Sequence, residues 1–423
     1  MAVLALTDDV DLGRELLGGK AWSIAEMLRQ RIPVPPAFVL TTDECRRYYA
    51  SGRRVPRDVR DRLPEMIRQL EQATSRTFGA GPRALLVSVR SGAATSMPGM
   101  MDTILNLGMT DEVQQALAEE AGSPEFAADT RRRFEEQFER VVSEPAPPDP
   151  HAQLTRAIAA VFDSWESPRA VTCREGRSIA GDGGTAVTVQ AMVFGNLDDR
   201  SGTGVIFSRH PTGACSGHYG EWLPKGQGED IVSGSCDPLP LEAMTAAVPA
   251  AYTELLDVAK RLDDHAGYAQ DIEFTVESGK LWFLQSRKAK VAVGSPENGV
   301  VPRPAGASPI ARGRSACPGV VTGRIVIDVE EAEARALAGE DVILARPTTN
   351  PHDVHAMAVV KGILTEVGGT TSHAAVVSRE LGVPCVVGCG EGVLTPHNGK
   401  VVTLDASTGE VFEAAERGDK AES

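Results

Sequence analysis

Strand-like and helix-like apolar patterns alternate along this chain. Ala84 to Val89 (Ala-Leu-Leu-Val-Ser-Val) is a mostly apolar run short enough for a buried strand. Thr185 to Phe194, Gly204 to Phe207, Asp271 to Val276 and Leu281 to Gln285 are further predicted strands, and a Ser278-Gly279 turn makes the last two a hairpin. Between them, Arg131 to Val142 and Gln153 to Trp165 carry apolar residues at helical spacing, separated by the proline-rich Glu144-Pro-Ala-Pro-Pro-Asp-Pro150. Past residue 312, Val321 to Ile327, Asp341 to Ala345, Gly362 to Leu364, Cys385 to Val387 and Val401 to Leu404 are predicted strands with helices between some of them. The two parts are joined by residues 293–312, which hold four prolines, several glycines and few large apolar side chains and read as an interdomain linker.

Composition narrows the class of molecule. The 423 residues suffice for two or three domains, and 42% hydrophobic with 24% charged residues is ordinary for a globular chain. A net charge of −15 argues against a broad electrostatic hold on nucleic acid or an anionic membrane surface. No apolar stretch approaches a membrane span, the N-terminus lacks a basic-then-apolar signal pattern, and the seven scattered cysteines read as reduced thiols. A cytoplasmic protein is expected. Cys385 and Cys389 have no second pair to complete a zinc site, and they read as small buried residues beside a strand.

The richest segment is Gly368-Gly-Thr-Thr-Ser-His-Ala-Ala-Val-Val-Ser-Arg-Glu-Leu-Gly382. The glycines allow a sharp turn, Thr371 or Ser372 is positioned to cap a helix, and Gly382 with Pro384 ends it. His373 then stands at the helix N-terminus, whose positive end disfavours the imidazolium and favours an attached phosphoryl group. An isolated histidine in such a place ordinarily packs or caps, so the surrounding sequence carries the argument. His352 and His355 are three apart, and helix-surface placement fits them better than a metal pair without a third ligand.

Upstream, Leu17-Gly-Gly-Lys20 brings a lysine after two glycines, and the Ala84–Val89 run leads into Arg90-Ser-Gly92, a cation at a strand end. Ser96-Met-Pro-Gly-Met-Met-Asp-Thr103 is a turn-rich loop whose amides from Gly99 to Thr103 could cover phosphates. Asp271 and Glu273 share one face of a strand, and Gln285 and Arg287 end the next. Taken singly, each of these has an ordinary structural explanation.

In their order along the chain, these motifs resemble the pyruvate, phosphate dikinase and phosphoenolpyruvate synthase superfamily, from about Leu17 to about Phe412. The match extends through Val189–Asn196, Ser201–Val205, Gly226–Asp230 and Arg346–His355. The resemblance implies an α/β (α+β) architecture: an ATP-grasp domain over 1–292, the 293–312 linker, a small swivelling β/β/α phosphohistidine domain over 313–415, and a tail over 416–423. It implies that Lys20 and Arg90 contact the polyphosphate, together with the Gly99, Met100, Met101, Asp102 and Thr103 loop. Glu273 and Gln285, with Asp271, would bind Mg²⁺, and Asp271 and Arg287 would organise phosphates and metal. Gln190 and Met192 would line the adenine pocket. Gly368, Gly369, Thr371, Ser372 and Arg379 would surround the phosphohistidine, with the Thr371 and Ser372 hydroxyls able to bond its phosphate. Arg133, Glu221 and Glu229 are weaker candidates.

The expected activity is ATP-dependent phosphorylation of His373, giving AMP, with inorganic phosphate as co-substrate and pyrophosphate as co-product. Full-length members continue into an α/β barrel that binds pyruvate or phosphoenolpyruvate, and no counterpart follows Phe412 here. The acceptor is therefore expected to be bound by a separate protein or to be a small molecule. Two other readings stand beside it: an antibiotic or metabolite phosphotransferase using the same phosphohistidine, and a non-catalytic ATP-binding regulatory module.

Overall fold

The computed structural model describes residues 3–95, 97, 99–176, 179–210, 217–234, 236–289 and 308–414. Residues 293–307 of the proline-rich linker, Ser96 and Pro98 of the methionine loop, and the 416–423 tail lie outside the described residues. No described helix is long and apolar enough to cross a membrane. Helices and sheets are mixed throughout, an α/β architecture. By internal contacts the chain forms two compact units: residues 1–202, 247–258 and 272–287, and residues 203–246, 259–271 and 288–423.

The first unit is built on a five-stranded antiparallel sheet, ordered Val3–Ala5, Ala37–Leu40, Ala186–Ala191, Val87–Gly92, Thr103–Leu107. The run expected as one strand from Ala84 to Val89 divides at Leu86. Ala84–Leu85 pairs with Thr77–Phe78, and Val87–Gly92 enters the large sheet. The Leu86 carbonyl is used instead by the amide of Met192. Helix Pro124–Val142 is longer than its periodic segment, because Ser123 caps it and proline suits a first helical turn. Asp149 likewise starts the helix Pro150–Asp163 by accepting from the amides of His151 and Ala152. That helix buries Leu154, Ala157, Ile158 and Val161, the spacing that made it legible. Strands Gln270–Glu277 and Lys280–Lys288 form the expected hairpin, with Ser278 (φ 48°) and Gly279 (φ 84°) in its turn.

In the second unit an eight-stranded mixed sheet runs Ala311–Arg312, Glu410–Glu413, Val401–Asp405, Val320–Val326, Val342–Arg346, Gly362–Thr365, Cys385–Val387, Arg314–Cys317. The pairings from Val320–Val326 through Cys385–Val387 are parallel, and the outer ones antiparallel. Parallel strands need both faces covered. Val326, Val342, Leu344 and Ile363 pack on one face with Ala374, Ala375 and Val377 of the helix His373–Leu381. Ile325, Ile343, Leu364 and Val386 fill the other. Cys385 and Cys389 are buried free thiols in these two cores. Residues 311–312, at the end of the segment read as linker, form an edge strand of this sheet.

Candidate functional site

Two constellations of polar side chains stand out, one in each unit. In the first, the helix Arg14–Arg29 is broken at Gly18, which takes φ 70° and ψ 162°. A Cβ on Gly18 would lie 1.7 Å from the carbonyl oxygen of Gly92, so only glycine lets the helix approach the end of the Arg90 strand. The amide of Gly19 donates to Ala93 O at 2.9 Å, locking the turn in place. Lys20 follows directly, and its Nζ donates to Gln285 Oε1 at 2.6 Å. Arg90 donates from Nη2 to Glu273 Oε2 at 3.1 Å, with both side chains largely covered. The four residues expected to act on the polyphosphate and metal are thus two linked pairs.

Burial and charge crowding together shift the proton affinities here. Burial pushes Lys20 down to about 7, with the Arg90 and Arg287 charges adding to the effect and Glu273 opposing it. Burial by itself raises Glu273, but Arg90, Lys20 and Arg287 together hold its carboxyl below the ordinary value. An ionised carboxylate and a half-neutral amine face two fixed guanidinium charges, an arrangement suited to receiving an anion. Asp271, two residues before Glu273 on its strand, is buried.

The loop preceding Thr103 is anchored by a residue that the sequence reading missed. Arg169, at the start of the helix Pro168–Gly176, donates through Nε to the Met100 carbonyl at 3.1 Å and pairs through Nη2 with Asp102. Gly99 takes φ 73°, Met100 is buried, Met101 is half-buried, and Thr103 pairs in register with Arg90. Gln190 is buried, and its side-chain amide donates to the Pro35 carbonyl at 3.1 Å. Met192 is half-buried just past the same strand. Arg133 pairs with Asp129 four residues earlier on its helix, at 2.7 Å.

In the second unit His373 is the first residue of the helix His373–Leu381, which ends at Gly382 in the left-handed region (φ 70°). The imidazole is 7% exposed. Nδ1 lies 3.2 Å from Thr349 Oγ1, and Nε2 is buried without a partner among the described residues. Burial pushes His373 down to about 4, so the ring is neutral at physiological pH. Burial, not the expected effect of the helix end, is the cause of this shift. Thr349 comes into reach because Asn350 and Asp353 form a reciprocal cap that fixes the turn after it.

The expected helix cap is corrected. Ser372 occupies the capping position, but its hydroxyl makes no cap bond and has no partner among the described residues. Thr371 Oγ1 turns away to donate to Glu221 Oε2 at 2.6 Å. Glu221, only 1% exposed, also accepts from the amides of Thr370 (2.8 Å) and Thr371 (3.1 Å) and from Thr370 Oγ1 (3.1 Å). A Cβ on Gly369 would stand 2.3 Å from that carboxylate. The amide of Gly368 donates to Asp237 at 3.1 Å, and Arg379 holds the Thr370 carbonyl at 2.8 Å. Glu221 was a weaker candidate in the sequence and proves to be the partner of the threonines beside His373. Glu229 lies in the first turn of the short helix Gly228–Val232. His355 Nε2 lies 3.4 Å from Glu333.

A chain with these two constellations belongs with enzymes that couple an ATP-binding domain to a histidine-bearing one. Residues 14–54 and 50–248 match the pyruvate phosphate dikinase AMP/ATP-binding domain. Residues 338–409 match the mobile domain of PEP-utilising enzymes. The pyruvate, phosphate dikinase of Clostridium symbiosum is 37% identical, covering 94% of this chain and 56% of that protein. Pyruvate, phosphate dikinase 2 of Zea mays is 39% identical over 94% of this chain and 55% of its own length. The Entamoeba histolytica enzyme is 35% identical over 97% of this chain and 57% of its own. The chain belongs to the pyruvate, phosphate dikinase family. It spans about half the length of these curated relatives.

Proposed function

We propose that this chain transfers a phosphoryl group from ATP to Nε2 of His373 and passes it on to pyruvate or another acceptor held by a separate chain or site. The observation that carries the reading is the state of His373: buried and neutral, with Nδ1 beside Thr349 and Nε2 without a partner. A neutral ring whose Nδ1–H is given to a hydroxyl leaves a lone pair on Nε2, the form a phosphoryl acceptor needs.

Lys20 and Arg90 bind the polyphosphate and stabilise charge in transfer, with the 99–103 loop as cover and Gln190 and Met192 beside the base. Glu273 and Gln285, with Asp271, offer hard oxygen donors. Those donors fit Mg²⁺, which would screen the phosphate charges when bound. Arg287 adds a further fixed positive charge. Inorganic phosphate is the proposed second acceptor, giving pyrophosphate and AMP. The proposed division is an ATP domain over 1–292, a join over 293–312 and a histidine domain over 313–415.

The test is direct. Incubation with Mg²⁺ and ATP should leave acid-labile phosphate on the protein, and His373→Ala should abolish it. Equal labelling of the substituted chain would overturn the proposal. Nucleotide analysis distinguishes the chemistry: AMP is expected, ADP would indicate a simple kinase, and unchanged ATP a non-catalytic binding module.

A further inference from the structure

Arg14 opens the helix Arg14–Arg29, one turn ahead of the break at Gly18. Its guanidinium leans forward over that break: a Cβ on Gly19 would stand 2.9 Å from Arg14 Nη2 and 3.3 Å from Nε. The guanidinium carbon lies 5.8 Å from the ring centre of Trp22, which covers one side of it. Nε is shielded from solvent and has no hydrogen-bond partner among the described residues. A charged donor hidden from water without an acceptor costs stability unless something else supplies the acceptor.

The surroundings indicate what that acceptor is. Gly18 abuts the carbonyl of Gly92, Gly19 is bonded to Ala93, and Lys20 completes the same turn. Arg14 therefore shares one glycine turn with Lys20 and one strand end with Arg90. A guanidinium keeps its charge at all working pH values, and its planar fork matches two oxygens of a tetrahedral oxyanion.

We propose that Arg14 is a further cation of this cradle and binds a phosphate oxyanion through its Nε edge, across the Gly19 turn. The oxyanion is either a phosphate of the nucleotide or free inorganic phosphate. This inference rests on the reading of this unit as an ATP site, and it adds a residue and a bound group to that reading.

The experiment uses the full chain and calorimetric titration in two arms. MgATP is titrated without phosphate, and inorganic phosphate is titrated onto chain saturated with a non-hydrolysable ATP analogue. Arg14→Gln should weaken binding about tenfold or more in one arm, the loss expected when a charge-assisted pair is removed. The affected arm identifies the source of the oxyanion. Arg14→Lys should recover only part of the loss, since an ammonium lacks the fork. In the unsubstituted chain, the Arg14 Nε–H resonance should shift on adding that same ligand, a readout that does not depend on either variant folding. Equal affinities in both arms for Arg14→Gln, or an unmoved Nε–H resonance in a chain that binds both ligands, overturns the inference. If the unsubstituted chain binds neither ligand, the ATP reading itself falls and takes this inference with it.

Discussion

Lys20 and His373 both lose proton affinity to burial, and the loss has opposite uses. Under the proposed function, the neutral state of His373 is the working one. The folded chain binds fewer protons than the unfolded chain between the ordinary value of 6.5 and about 4. Stability therefore rises with pH through that window, and is lost as pH falls from 6.5 to about 4. The shift corresponds to about 3 kcal/mol, on the order of a large single-residue effect. Denaturant unfolding at pH 7 and pH 4 should show the native chain losing roughly that much more than His373→Gln. Identical losses would mean that the imidazole is not held neutral in the fold. Under the same proposal, the charged state of Lys20 is the working one once a polyphosphate arrives. An amine at about 7 must take up a proton as the anion binds, so affinity should fall as pH rises above that point. Calorimetric titration of MgATP at pH 8 in buffers of differing ionisation enthalpy should report close to one proton taken up. Lys20→Arg should report none. Both residues were singled out in the sequence because a glycine pair or a helix start sat beside each. Glu221 showed only as a weaker candidate, Thr349 only as part of the Arg346–His355 match, and Arg169 not at all, because their contacts come from partners 150, 24 and 67 residues away in the chain.

Elements were easiest to read where burial follows a fixed period. The parallel strands from Val320 to Val387 sorted their side chains onto two faces as alternation requires, and the Ser278-Gly279 turn set its hairpin. The segment at Gly18 was less transparent. A Leu-Gly-Gly-Lys run reads as a loop, yet helical residues flank it, and only the close approach to Gly92 explains the break. Gly18→Ala would bring a Cβ within 1.7 Å of the Gly92 carbonyl at a φ of 70°. We expect it to cost about 2–4 kcal/mol and to abolish ATP binding, as helix and strand end separate. Gly122→Ala is the control: its φ is 62°, but nothing lies within 4 Å of the added Cβ. It should cost about 1 kcal/mol and leave ATP binding intact. Thermal unfolding with ATP titration compares them, and equal effects would show that the Gly18 contact does nothing special. Ser372 occupies the cap position before His373, but neither expected hydroxyl caps the helix; that of Thr371 donates to the Glu221 carboxylate instead of accepting from a first-turn amide, a tertiary contact overriding a local one.

At the scale of the whole molecule, one matched region is named for AMP/ATP binding and the other contains His373, and in the proposed reaction the acceptor is held by a separate chain or site. Under that proposal, the chain alone should complete its first half-reaction and then stop. Each chain transfers one phosphoryl group to His373, another leaves on inorganic phosphate as pyrophosphate, and AMP is released. Rapid-quench measurement with MgATP and phosphate should show a burst approaching one AMP per chain, followed by little turnover. Labelled inorganic phosphate should appear in pyrophosphate in equal amount. A burst without labelled pyrophosphate would make water the second acceptor, and steady AMP production without any added acceptor would mean that phosphohistidine is hydrolysed as fast as it forms. His373→Ala should show neither burst nor pyrophosphate, because the β-phosphoryl group then has no nitrogen to receive it. Restoring turnover by adding pyruvate alone would locate an acceptor site on this chain. Restoration only with a second protein would place that site elsewhere, and the burst amplitude counts the chains competent to wait for it.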